Sequence, residues 1–126
     1  MRKHLAFTCV FSILSFAVAR PSVDRLGICY EFKGKAVTRA PCVISPGYGA
    51  GAQYVTYTFN NREFYVEYPN LKPNSAPTLN GKTAIEYRRD ASFFAILKGA
   101  PVEGETYINC IKTKDGKTDV CVLETD

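Results

Sequence analysis

Histidine is almost absent from this sequence of 126 residues. Its single copy is His4, the single methionine is Met1, and there is no tryptophan. Ser-His-Asp and Cys-His nucleophile systems use imidazole as a base, and His-containing zinc and copper sites use it as a ligand. Removal of the N-terminus would therefore exclude these chemistries for the rest of the chain.

The first 19 residues have the three parts of a secretory signal peptide. Residues 2–4 form a basic start, an apolar stretch covers residues 5–18, and Ala17-Val18-Ala19 is an A-x-A cleavage site. The apolar stretch is shorter than the roughly 20 residues that cross a bilayer. We expect residues 1–19 to be cleaved and residues 20–126 to form one periplasmic or secreted domain, with no transmembrane segment after cleavage. A buried N-terminal helix or an uncleaved anchor is the alternative.

Cleavage also changes the charge of the chain. It removes two of the 16 lysines and arginines and none of the 12 aspartates and glutamates, so the formal net charge falls from +4 to +2. Proteins that bind nucleic acid carry a basic patch or stripe. This balanced composition predicts no nucleic-acid partner.

An even number of cysteines in a small exported domain is typical of a disulfide framework. The exported chain contains Cys29, Cys42, Cys110 and Cys121. These cysteines allow three pairings, and the absence of a C-x-x-C pair disfavours a four-thiolate metal site. Oxidised cysteines leave no thiolate nucleophile. We therefore expect no catalytic residue of this type, no metal and no cofactor.

Local hairpin geometry favours the pairing of Cys29 with Cys42 and of Cys110 with Cys121. A two-residue turn at Asp115-Gly116 sets Cys110 directly opposite Cys121, within reach of a cross-strand bond. A turn near Gly34-Lys35 leaves the other pair two residues out of register. The second disulfide is therefore expected to need a bulge or a wider loop.

Short segments with period-two alternation predict antiparallel β-structure. The clearest pair is 54–59 and 62–68, which flank Asn60-Asn61 and share an apolar face. Further strands are expected at 28–32, 36–39, 83–87, 106–111 and 119–123. The predicted fold class is mainly β, a small antiparallel sandwich or half-barrel of about seven strands with at most one short helix, stapled by two disulfides.

Composition predicts loops at residues 41–51 and 69–77, which are rich in proline and in glycine or asparagine. Asn80-Gly81 is a further signal for a tight turn. Residues 90–97 begin with a capping residue and end before Gly99, which slightly favours a helix of two turns. The aromatic residues of this segment suit a strand equally well.

The loop 45–53 is the best candidate for a binding surface. Tyr48 lies at its tip, and tyrosine provides rigid, amphipathic contact area. The glycines of this loop are interpreted as turn or bulge residues, because a phosphate-binding loop leads into a helix and this one leads into a strand. The candidate binding residues are Tyr48, Gly49, Gly51, Tyr54, Arg88 and Arg89.

Arg88-Arg89-Asp90 is the one dense cluster of charge. With Arg62, Lys72 and Lys82 it could form a basic face for an acidic partner, a lipid headgroup or a polyanion. Dispersed solubilising charge, with Asp90 as a helix cap, is the competing interpretation.

Four stretches resemble a group of small exported proteins of Gram-negative bacteria without an assigned activity. They are residues 42–54 (Cys-Val-Ile-Ser-Pro-Gly-Tyr-Gly-Ala-Gly-Ala-Gln-Tyr), 79–84, 87–93 and 110–117. This resemblance implies an envelope location and supplies no catalytic residue. The segment Gly49–Tyr54 is also similar to the Ser-Gly-x-Ala-x-Tyr-type loop of periplasmic lysozyme inhibitors, with the serine displaced to Ser45. That similarity implies a small disulfide-bearing β-barrel with an inhibitory role.

These observations favour a non-enzymatic binding module that acts on a protein partner in the envelope or outside the cell. The alternatives are a carboxylate-dependent hydrolase of glycan or cell-wall material, and an envelope structural or stress protein without a discrete site. Glu63 and Glu67 share one strand face, but their spacing of roughly 13 Å is wider than glycosidase geometry. A solvated strand face is therefore the better interpretation of these two residues.

The hydrolase alternative makes a direct prediction. If carboxylates on this strand act on glycan, Glu63→Gln or Glu67→Gln abolishes a measurable turnover and leaves folding intact, because glutamine keeps the shape and loses the charge. Release of soluble fragments from purified cell wall is the measurement. If neither substitution changes the turnover, this alternative is contradicted.

Overall fold

The computed structural model describes residues 23–69 and 74–125. The predicted signal peptide and Lys72 lie outside these residues. Nine strands are described: β1 (Arg25–Lys33), β2 (Ala36–Gly49), β3 (Ala52–Phe59), β4 (Arg62–Pro69), β5 (Thr78–Leu79), β6 (Lys82–Asp90), β7 (Ile96–Leu97), β8 (Tyr107–Thr113) and β9 (Asp119–Glu124). They form one antiparallel sheet, and no helix occurs in the described ranges. The predicted β class is confirmed, with β5 and β7 as additional short strands.

The sheet closes on itself through β5. This strand pairs with Val66–Glu67 of β4 on one side and with Lys82–Thr83 of β6 on the other. Farther along β6, Arg88–Arg89 pair with β7 on the edge that β8 leaves free. The resulting barrel has a closed end, which contains the turns at 60–61 and 80–81. At its open end β4 and β7 are separate.

Alternate residues of each strand point into the barrel and form its core. The buried members are Cys29, Cys42, Ile44, Phe59, Phe64, Val66, Leu79, Ala84, Ile111, Val120 and Val122. At the closed end, Arg62 Nη1 lies 2.6 Å from each carboxylate oxygen of the buried Glu31. This ion pair neutralises a charge that would otherwise be costly to bury.

A second apolar cluster covers the outer faces of β1, β8 and β9. Phe94, from the segment after β6, packs edge-on against Tyr30 and Phe32, with ring centroids 5.5 Å apart in each pair. Cys110 and Cys121 lie in the same cluster. These strands are therefore buried on both faces, which explains the nearly continuous burial of residues 27–32.

Both predicted disulfides are present, and one differs in geometry from the prediction. Cys110 and Cys121 are directly opposed. Cys42 lies opposite Gly27, so the bond from Cys29 joins diagonal neighbours with a Cα–Cα distance of 5.6 Å. No bulge or wider loop is needed, because this distance is in the usual range for a disulfide. Both bonds are consistent with an oxidising compartment outside the cytoplasm.

Asparagine-containing turns set the predicted hairpin registers. The φ angles are 53° and 57° at Asn60-Asn61, and 50° and 80° at Asn80-Gly81. Both central residues are left-handed in each case, as type I′ turns require. The prediction of a two-residue turn at Asp115-Gly116 is wrong. The chain turns over residues 114–117, and only Gly116 has a positive φ there. The midpoint is unchanged, so the register of Cys110 and Cys121 is also unchanged.

The loop predicted at residues 41–51 is wrong: β2 runs through this segment to Gly49, and only Ala50-Gly51 form the turn. Pro41 pairs opposite β1 and Pro46 opposite β3, each where β2 has a single neighbour in the sheet. A proline is tolerated there because its missing N–H is not needed by a second strand. Composition therefore misidentified this strand as a loop.

The prediction of a helix at residues 90–97 is also wrong. Asp90 caps a single turn, since its Oδ2 accepts hydrogen bonds from the backbone N–H groups of Ser92 and Phe93 at 3.0 and 2.6 Å. Phe94 then adopts a φ of 60° and the chain returns as β7. Burial of Phe94 against β1 outweighs the local preference for helix.

Removal of the Cys29–Cys42 disulfide should destabilise the domain. The double substitution Cys29→Ala/Cys42→Ala is expected to lower the free energy of unfolding by about 2–4 kcal/mol, because the open chain has more conformational entropy. Urea denaturation of residues 20–126 measures this loss. The comparable double substitution of Cys110 and Cys121 should give a similar loss, since the sequence separations are 13 and 11 residues. An unchanged midpoint for both contradicts the prediction.

Candidate functional site

A cavity of about 640 Å³ lies at the open end of the barrel, where β4 and β7 separate. Residues of six strands and of the segment after β7 line it. Its main lining residues are Val55, Tyr57, Tyr68, Glu86, Arg88, Leu97, Gly99, Asn109, Val122 and Glu124. Aromatic and polar side chains therefore take the place of the apolar core at this end.

Two tyrosines of the cavity lie close to carboxylates. Burial raises the pKa of Tyr57 to about 12, with further contributions from Glu124 and Glu86. Burial and a hydrogen bond with Glu86 also raise the pKa of Tyr68. Both phenols are therefore protonated at neutral pH, and they present aromatic rings and hydroxyl groups to the cavity.

The arginines near the cavity are bound to other groups. Arg88 Nη1 lies 3.2 Å from Glu105 Oε2, and the same guanidinium donates a hydrogen bond to the carbonyl of Gly99. Arg25 Nη1 lies 3.0 Å from Glu124 Oε2. Glu86 has no ion-pair partner within the two described ranges of the chain. The cavity wall thus carries one carboxylate whose charge these arginines do not neutralise.

The structure places Tyr48, Gly49, Gly51 and Tyr54 on one hairpin, formed by the end of β2 and the start of β3. Tyr48 lies opposite Gln53, and Gln53 lies opposite Tyr68. Because paired residues share a face, Tyr48 lies on the side of the sheet that lines the cavity. It is 63 % exposed.

Tyr54 lies on the other face of this hairpin. Its ring stacks on that of Tyr65, with centroids 5.4 Å apart. Gly51 has a φ of 75° and forms the turn with Ala50. A Cβ added to Gly49 would lie 3.8 Å from the Tyr54 ring, which is ordinary contact. The four candidate residues thus share a hairpin but not a single surface.

Arg89 is directed away from the cavity. Its Nη2 lies 3.1 Å from Asp119 Oδ2, and its Nη1 donates to the carbonyl of Phe94 at 2.9 Å. Its guanidinium carbon lies 4.1 Å from the centroid of the Phe32 ring. Asp119 also accepts a hydrogen bond from Tyr87, whose pKa is raised by burial and by this bond. Arg89 therefore stabilises the packing of the outer apolar cluster.

The remaining basic residues do not join these arginines. Arg62 pairs with Glu31 at the closed end, and Lys82 Nζ lies 3.6 Å from Asp115 Oδ2. The described members of the predicted basic face are therefore spread over both faces and both ends of the barrel, and each has a carboxylate partner.

Sequence reasoning singled out Glu63 and Glu67, whereas Glu86 and Glu124 are the carboxylates at the cavity. Glu63 pairs opposite Thr58 on the outer face of the barrel. The alternation Ala84-Ile85-Glu86-Tyr87-Arg88 was the available signal for Glu86. On the core face of this strand, the apolar Ala84 is followed by the polar Glu86 and Arg88 toward the end of the strand.

Comparisons with protein-family models, with curated proteins and with solved structures returned no match to this chain. Among the residues that the structure describes, no helix is both long and apolar enough to cross a membrane.

Replacement of Arg89 should reduce stability. The change Arg89→Met leaves Asp119, whose side chain is 12 % exposed, without its cationic partner. We expect a loss of about 3 kcal/mol in the free energy of unfolding, at the low end for a broken buried pair because Tyr87 still binds Asp119. Urea denaturation is the measurement.

Lys82→Met provides the matched control. The Lys82–Asp115 pair is largely exposed, and exposed ion pairs contribute about 0–1 kcal/mol. Equal losses for Arg89→Met and Lys82→Met contradict the structural role assigned to Arg89.

Proposed function

We propose that this protein is an exported, non-enzymatic binding module that acts on a protein partner in the cell envelope or outside the cell. The observation that carries this proposal is the exposed Tyr48 on the hairpin at the end of β2 and the start of β3. The predicted signal peptide and the two disulfides support a periplasmic or secreted location.

The hairpin extends beyond the strand beside it. Pairing of β1 with β2 stops at Arg25 opposite Ile44, so residues 45–49 pair only with β3. A large aromatic side chain on this extension is available to a partner at low entropic cost. Tyrosine is enriched among the residues that dominate binding energy in protein interfaces.

The outer face of the same hairpin offers a second aromatic feature. The stacked rings of Tyr54 and Tyr65 lie on the surface, and Tyr65 is itself exposed. A partner that holds the hairpin from both faces would contact Tyr48 on one side and this pair on the other. Inhibition of a lysozyme is one specific version of the proposal, supported by the similarity of segment 49–54 to the loop of periplasmic lysozyme inhibitors.

Substitution of Tyr48 should weaken capture of the partner. The mature protein, residues 20–126, is immobilised and exposed to an envelope extract, and retained proteins are quantified by mass spectrometry. We expect Tyr48→Ala to reduce retention of the specific partner about tenfold or more, because truncation of an interface anchor costs about 2 kcal/mol or more. Circular dichroism and urea denaturation verify that the variant is folded.

Phe93→Ala is the matched control, because Phe93 is an exposed aromatic residue on the turn after β6. Its replacement should leave retention unchanged. If Tyr48→Ala retains as much of every captured protein as the unaltered chain, the hairpin is not the binding surface. The inhibitor version is tested separately with purified lysozymes acting on cell wall, and undiminished hydrolysis at saturating protein rules it out.

A further inference from the structure

We propose that the cavity at the open end of the barrel binds an aliphatic ammonium group, held by the Glu86 carboxylate between the rings of Tyr57 and Tyr68. This site is independent of the proposed protein-binding hairpin, since Tyr48 does not line the cavity.

The chemistry of the wall selects a cation. Glu86 presents a carboxylate, and a charge-assisted hydrogen bond to an ammonium is stronger than a neutral one. The Tyr57 and Tyr68 rings beside it supply electron-rich faces, which attract cations within about 6 Å. An ammonium has three N–H donors, and the phenol oxygens and the Asn109 carbonyl oxygen of the same wall are available to accept from them.

The charge balance points to the same class of ligand. Arg88 lines the cavity and Arg25 pairs with the lining residue Glu124; each arginine is bound to a glutamate, at 3.2 and 3.0 Å respectively. Glu86 is left as an anion with no described counter-charge. Burial is the main cause of the raised pKa values of Tyr57 and Tyr68, and Glu86 adds to both, which is consistent with a position of its carboxylate near the two phenols. An anionic ligand would meet repulsion here, and an ammonium would meet attraction.

The size and lining of the cavity fit a small organic group. Its volume of about 640 Å³ is in the range of small-molecule sites. Val55 and Val122 form an apolar part of its wall. A divalent metal ion prefers several oxygen ligands, whereas this wall combines a carboxylate with aromatic rings and methyl groups that suit an alkylammonium chain.

The test is calorimetric titration of the mature protein with cadaverine at low ionic strength. We expect saturable binding that weakens as salt is added, because the attraction between opposite charges is screened. Glu86→Gln should weaken binding about ten- to a hundredfold, the effect of losing a hydrogen bond to a charged group. Tyr68→Leu should weaken it several-fold by removing a ring, and Tyr68→Phe should retain most of the affinity.

Four controls make the result specific. Glu63→Gln neutralises an exposed carboxylate on the outer face of β4 and should leave the affinity unchanged. The neutral analogue 1,5-pentanediol and the sugar N-acetylglucosamine should not bind measurably. Tyr48→Ala should bind cadaverine normally, so failure of the hairpin proposal and failure of this one are separate results.

The source of the ammonium is resolved by a second ligand. Nα-acetyl-lysine amide presents the group as a protein side chain does, and cadaverine presents it as a free amine. Tighter binding of either one shows which presentation of the ammonium group the site prefers. The proposal is overturned if cadaverine does not bind the unaltered protein, if Glu86→Gln binds it equally well, or if 1,5-pentanediol binds with similar affinity.

Discussion

The closed end of the barrel depends on a strand of two residues. Backbone pairing joins β5 to β4 on one side and to β6 on the other, and Leu79 is fully buried between them. The Asn80 side chain and backbone both bond to the backbone of Tyr65, at 2.8 and 2.7 Å, which ties the following turn to β4. Because β5 is so short, β4 and β6 are joined only near the closed end. The cavity at the open end is a consequence of that limit.

The charged groups also differ between the closed and the open end of the barrel. Arg62 neutralises the buried Glu31 at the closed end, and Arg89 neutralises Asp119 under the outer apolar cluster. These pairs allow apolar packing to continue around charged groups that would be costly to bury alone. At the open end the aromatic and carboxylate groups stay accessible to solvent. The groups on which both proposals rest therefore lie where the core ends.

Local chemistry predicted the hairpins well and the long segments less well. Asn60-Asn61 and Asn80-Gly81 specify their turns through positive φ angles that few other residues tolerate. The sequence did not predict that residues 41–49 form a strand. Pro41 and Pro46 are tolerated in a strand only where it lacks a second neighbour, and that depends on the tertiary structure. Of the candidate site, Tyr48 was identified from its loop composition, and Glu86 was not identified at all.

The sequence by itself determined the antiparallel β class and the hairpin registers, and it favoured the observed pairing of the cysteines, because each of these depends on residues of one hairpin. Tertiary structure alone decided that Glu86 and Tyr68 meet at one cavity, that Arg88 and Arg89 are engaged by carboxylates, and that Tyr48 and Tyr54 face apart. These relations depend on how distant strands close the barrel and where closure stops. Period-two alternation assigns a residue to a face, but it does not specify which end of that face remains open.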